Sequence, residues 1–161
     1  MADASELLMQ WTDPVLGDLR WDKAGKVWIG SCDFNGRVVR LELDPDHTNP
    51  TRDIQLAIIE PSRSILGRLP QIEPQFRRQA AEQIAEAVAS QEPQGRKEPA
   101  LPEERFADEL ELEMISIHSC GELHYRSPAF FPDSVVTIYF NEDLSFGDAA
   151  VYGSGREDER S

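Results

Sequence analysis

The sequence predicts an α+β fold of antiparallel β meanders with helices packed on the sheet, and three observations carry that expectation. Two regions alternate apolar and polar residues with period two, the mark of half-buried strands. Glycine-bearing turn tripeptides separate those runs. Between the two regions the apolar spacing changes to three and four residues, the helical period. The order is three strands, a helical pair, then four strands, as one sheet or two stacked meanders covered by the helices.

Residues 15–22, 26–33 and 37–43 are the first strands, separated by Lys23-Ala24-Gly25 and Phe34-Asn35-Gly36. Read as three-residue loops with glycine in the left-handed position, these turns set Asp22 opposite Lys26 and Asp33 opposite Arg37. They also set Leu19 beside Ile29, Trp21 beside Val27, Ile29 beside Leu41 and Val27 beside Leu43, so apolar meets apolar on one face. In that register Trp21 is core. Trp28 points the other way, between Arg20 and Glu42, as an exposed aromatic anchor for a partner. The simpler alternative is a second layer over that face, which would make Trp28 ordinary core.

Residues 44–49 form a polar link. Helical spacing then runs through Ile54, Ala57, Ile58, Ile65, Leu66 and Leu69, with breaks expected at Pro61 and Pro70. A better helix covers residues 74–90, with proline in its first turn and a stripe of Phe76, Ala80, Ile84, Ala87 and Val88. Residues 91–102 read as a linker and 103–107 as a helical turn. Strands return at 109–118 and 122–127 around Ser119-Cys120-Gly121, pairing Ile117 with Leu123 and Ile115 with Tyr125. A last hairpin, 134–140 with 146–152, pairs Ile138 with Ala149 and Val136 with Val151. The domain organisation is an N-terminal extension (1–11), a single domain (12–153) and a flexible tail (154–161).

Thirty acids against 16 bases give a net charge of −14, and residues 100–161 hold most of the excess. Such a field repels nucleic acid and anionic membranes and attracts cationic partners. The first residues lack a basic n-region and a long apolar run, and Cys32 and Cys120 make no disulfide framework, so a cytoplasmic, reduced protein is expected.

His118, Glu122 and His124 are the candidate metal ligands. On the expected hairpin they share one face, within reach of a zinc ion, with Cys120 at the loop tip. Their spacing matches no established zinc motif, and a polar outer face explains them more simply. Asp44-Pro45-Asp46-His47 is carboxylate-rich but lacks the glycine and closing glutamate of a calcium loop. Glu109, Glu111 and Glu113 alternate with Leu110, Leu112 and Met114, which puts all three on the wet face of a strand as steering acids for a partner. Cys120 beside His118 is a weak nucleophile signal. The arginines of the helical middle are matched by acids there, so they form no nucleic-acid patch. No catalytic motif is present.

The layout resembles an uncharacterised bacterial family with an L-G-x-L-x-W-D start (Leu16 to Asp22), a W-x-G strand (Trp28-Ile29-Gly30) and a G-E-L-x-Y strand (Gly121 to Tyr125). It also has a closing A-x-x-x-G (Ala149 to Gly153). The family is similar to small acidic proteins found beside bacterial toxins, some of which act as immunity proteins. That resemblance implies a binding role. Where the family pattern often has Gly-His, this chain has Pro132-Asp133-Ser134, so no role follows for that histidine. The sequence thus predicts a non-enzymatic domain without cofactor that binds a basic protein, and the resemblance implies an immunity-type partner of a basic toxin as the form of that role. The alternative is a metal-binding or small-ligand-binding domain, or a hydrolase, using His118, Glu122 and His124.

Overall fold

The structure, a computed structural model, describes residues 6–90 and 101–153. The expected tail, most of the expected linker and the first part of the expected N-terminal extension lie outside those residues. Four strands come first: β1 (Gln10–Asp13), β2 (Gly17–Asp22), β3 (Val27–Phe34) and β4 (Arg37–Leu43). Three helices follow, α1 (Arg52–Ala57), α2 (Ile59–Ser90) and α3 (Glu103–Glu109). The chain closes with β5 (Glu111–Ile117), β6 (Gly121–Ser127), β7 (Phe131–Phe140) and β8 (Phe146–Gly153).

The eight strands form one sheet in chain order. Each hairpin neighbour is antiparallel, and β4 and β5 at the centre are parallel. A parallel pair needs a long crossover, and the three helices provide it. The α+β class with a mostly antiparallel sheet therefore stands, but four strands and not three precede the helices. Short β1, which the sequence reading did not separate, is the addition.

The register of β3 differs from expectation by one residue at both ends. The first turn spans four residues, with Asp22 paired to Val27 and Lys26 at φ 58°. The second is a two-residue Asn35-Gly36 turn, with Phe34 paired to Arg37 and φ of 51° and 84°. Positive φ at both turn residues is the twist-matched hairpin geometry that Asn-Gly favours. A one-residue slip turns every side chain of a strand to the other face. Trp28 therefore pairs with Trp21 and is 0 % exposed, and it is no surface anchor. Gly30, Cys32 and Phe34 follow it to the helix side, and Ile29 goes outward. The helix side gains two large aromatic rings by this exchange.

The breaks expected at Pro61 and Pro70 do not occur, and α2 runs 32 residues through Pro70 and Pro74. Pro61 lies in the first turn, where its missing N–H costs nothing. An interior proline costs about 3 kcal/mol. Burial of Ile65, Leu66, Leu69, Phe76 and Ile84 on the sheet, at about 1.5–3 kcal/mol each, outweighs it.

Buried polar groups tie the layers together. Gln55, 0 % exposed, donates to the Leu8 carbonyl at 2.9 Å and accepts from the Leu8 N–H at 2.8 Å, mimicking a strand partner. Asp13 accepts the N–H groups of Val15 and Leu16 and a two-pronged contact from Arg63 of α2. The Arg63 guanidinium holds the Asp13 carboxyl far below the usual carboxylate range, burial opposes it, and the two amides add to the lowering. A lowered folded-state value stabilises the fold above the unfolded value of about 4, and that stability is lost as pH falls below it. Asp13→Asn is expected to lower stability at neutral pH and to flatten its fall between about pH 4 and pH 2, measured by urea unfolding at each pH. An unchanged acid limb would mean that other carboxylates cause it.

Candidate functional site

The helices cover one face of the sheet and leave the other open, so along β6 Leu123 and Tyr125 are buried while Glu122, His124 and Arg126 are not. The β5–β6 turn sets the centre of this open face. Ile117 pairs with Gly121, two residues away from the expected pairing with Leu123. A two-residue shift keeps every side chain on its own face. Gly121 fixes that register because it lies against the ring of Phe140 in β7, where a Cβ would stand 2.1 Å from the nearest ring carbon.

From there the three expected ligands come together. Glu122 Oε2 lies 3.3 Å from His118 Nε2, and Glu122 Oε1 lies 3.1 Å from His124 Nε2. The remaining ring nitrogens are also engaged: His124 Nδ1 is 3.2 Å from Thr137 Oγ1, and His118 Nδ1 is 3.7 Å from Cys120 Sγ. The result is a row, imidazole–carboxylate–imidazole, with each side chain about a quarter exposed. Among the described residues no group of three or more His, Cys, Asp and Glu side chains is arranged to hold a metal ion.

The steering acids separate. Glu109 belongs to the end of α3 and pairs with Arg105 at 2.6 Å, a correction to its expected place on a strand. The helix continues because its neighbours Phe106, Ala107 and Leu110 are buried beneath it. Glu111 and Glu113 do lie on β5, near Arg37 at 3.7 Å and Arg126 at 4.0 Å. Contacts this exposed are worth little, so the two acids stay available to solvent and partners. In the Asp44–His47 loop, Asp44 accepts the Asp46 N–H and His47 accepts the Asn49 N–H, which is turn chemistry. The Cys32 thiol is pushed up to about 11, by burial first and by Asp33 second, and is a poor nucleophile at neutral pH.

Sequence reasoning missed a tyrosine pair. Tyr139 of β7 and Tyr152 of β8 reach across the face until their hydroxyls meet at 2.6 Å. Thr137 and Ala150, paired between them, lie under this bridge, and Thr137 is 1 % exposed although it faces the open side. Burial, the Tyr152 hydroxyl and the charges of Glu122 and Asp148, in that order, push the Tyr139 phenol above its usual range. Period-two alternation in β7 could have placed Tyr139 outward, since Ile138 and Phe140 beside it are core.

A family described as an uncharacterised protein conserved in bacteria, DUF2262, matches residues 13–159. No curated protein and no solved structure matches the chain. No helix among the described residues is long and apolar enough to cross a membrane.

Proposed function

The chain belongs to this uncharacterised, bacterially conserved family, and we propose that it is a non-enzymatic protein-binding domain whose open sheet face docks a basic protein. The observation that supports this reading is the makeup of that face. Asp18, Asp33, Glu42, Glu113 and Glu122 project from it, against Arg20, Arg40 and Arg126, and Asp148 stands at its edge on β8, where it meets Gln83 of α2. A broad face of one predominant sign steers an oppositely charged partner more than it tightens the final complex. An immunity-type role, with a basic bacterial toxin as the partner, is the form of this reading that the sequence resemblance suggests.

The test is kinetic. With the purified partner, raising salt from about 0.05 to 0.5 M is expected to slow association far more than it speeds dissociation, because the Debye length shortens severalfold. Reversing charge at Glu42 and Glu113 is expected to slow association about tenfold at low salt. Salt-insensitive association would remove the reading.

A second reading, binding of a divalent metal or small ligand at His118, Glu122 and His124, is favoured by one observation. Both imidazoles aim Nε2 at the same carboxylate while Nδ1 meets Cys120 or Thr137 behind, the way neighbouring polar groups orient metal-bound histidines. Stoichiometric zinc in purified protein, with a melting temperature that falls on chelation, would support it. Metal-free protein with an unchanged melt would remove it.

A further inference from the structure

We infer that the Tyr139–Tyr152 bridge, with Asp148 beside it, is where an arginine side chain of the basic partner seats. The inference rests on the proposal that the open face binds a basic protein, and it names the focal point of that face.

Four observations lead there. Tyr152 is 47 % exposed, and it is the aromatic one among the four exposed large hydrophobic residues of the described chain. Its hydroxyl is fixed by Tyr139, so the ring is held in place before any partner arrives. Asp148 is directly across the strand pair from Tyr139, and one of its carboxylate oxygens, Oδ1, takes the Gln83 amide of α2. Among the described residues its other oxygen has no donor, so it can take one from a partner. Glu122 lies on the opposite side of Tyr139, paired to it across β6 and β7. Tyr139 therefore has an acidic residue in register on either side, and both charges act on its phenol, a field that favours a cation.

Arginine fits this arrangement better than lysine. A planar guanidinium stacks on an aromatic ring while its edge donates to a carboxylate and a hydroxyl, which a compact ammonium cannot do together. A preordered ring also spares the partner the cost of fixing a mobile side chain, a general feature of binding anchors. Elsewhere on the face the acids Glu111 and Glu113 have arginine neighbours of their own chain. Among the described ion pairs, Asp148 has no such neighbour.

The probe is a capped Gly-Arg-Gly peptide titrated into nitrogen-15-labelled protein, with the neutral citrulline peptide as its counterpart. The arginine peptide is expected to shift the backbone signals of Tyr139, Asp148, Ala150 and Tyr152 most, and the citrulline peptide to shift them several times less. Tyr152→Ala and Asp148→Asn are each expected to weaken the arginine peptide about fivefold. Tyr152→Phe, which preserves the packing of the ring, guards against misfolding of the alanine variant and is expected to cost about twofold. Shifts at Glu42 and Glu113 as large as those at the bridge would overturn the arginine seat and leave the acidic-face reading standing. Equal response to arginine and citrulline would also overturn it. Salt-insensitive association with the protein partner would remove both.

Discussion

Trp28→Ala is expected to destabilise the protein by about 3–5 kcal/mol, as a large aromatic truncation in a core does. The indole is 0 % exposed and meets the Trp21 ring edge-on at a centroid distance of 5.2 Å. Its Nε1 donates at 3.0 Å to the Gln55 carbonyl, in the short helix whose Gln55 side chain holds Leu8. The truncation would open a cavity and strand that buried carbonyl, the second effect being about 1–3 kcal/mol of the total. Trp28→Phe keeps most of the ring and isolates the loss of the donor, so it is expected to cost less. Urea unfolding followed by circular dichroism measures both. A Trp28→Ala protein of wild-type stability would put the indole outside the core.

Arg77→Met is expected to cost a similar amount, about 3–5 kcal/mol, because it leaves a buried charge without its partner. Glu73 of α2, 3 % exposed, accepts from Arg77 Nε at 2.5 Å and from the Tyr125 hydroxyl at 2.7 Å. Arg77 also donates to the carbonyls of Ala107 and Leu110 at 3.0 and 2.7 Å and lies over the Tyr125 ring. Helix α3 has no basic residue in its last turn, so Arg77 caps it from a neighbouring helix. The Glu73→Met and Arg77→Met double variant is expected to recover part of the loss, since a buried ion pair replaced by apolar side chains is often nearly neutral. A single-variant cost below about 1 kcal/mol would show that the carboxylate finds other solvation.

Much of the architecture was legible in local patterns. The last hairpin carries the expected pairs, Ile138 with Ala149 and Val136 with Val151. The His118, Glu122 and His124 cluster formed although its hairpin register was wrong, because the error was an even number of residues. The β3 error was odd, and it misplaced Trp28. Both placements of β3 set apolar residues against apolar neighbours, so pattern could not choose between them. The Asn35-Gly36 pair could have chosen, since it calls for a two-residue turn. Strand β1 was hidden by its length, four residues with a single apolar side chain, Trp11. The continuity of α2 was hidden because burial of its stripe on a distant sheet overrides what Pro70 does locally. The tyrosine bridge joins residues four positions out of cross-strand register, a reach that alternation alone does not reveal.

The parallel seam between β4 and β5 divides this sheet unequally in time. Each four-stranded half is built from neighbours in sequence and needs only short loops to close. The seam, from Arg40 paired with Met114 to Leu43 paired with Ile117, must wait until the whole helical crossover has been gathered between them. Closing so long a loop is slow, because its entropic cost precedes any reward from contact. Two half-sheets are then expected to form before one, each with an unpaired edge of apolar residues, Val39, Leu41 and Leu43 on one and Leu112, Ile115 and Ile117 on the other. Until the crossover docks, those edges can pair with another chain as readily as with each other. The hazard of aggregation during refolding therefore lies at the middle of the finished sheet, where the folded protein shows no edge at all.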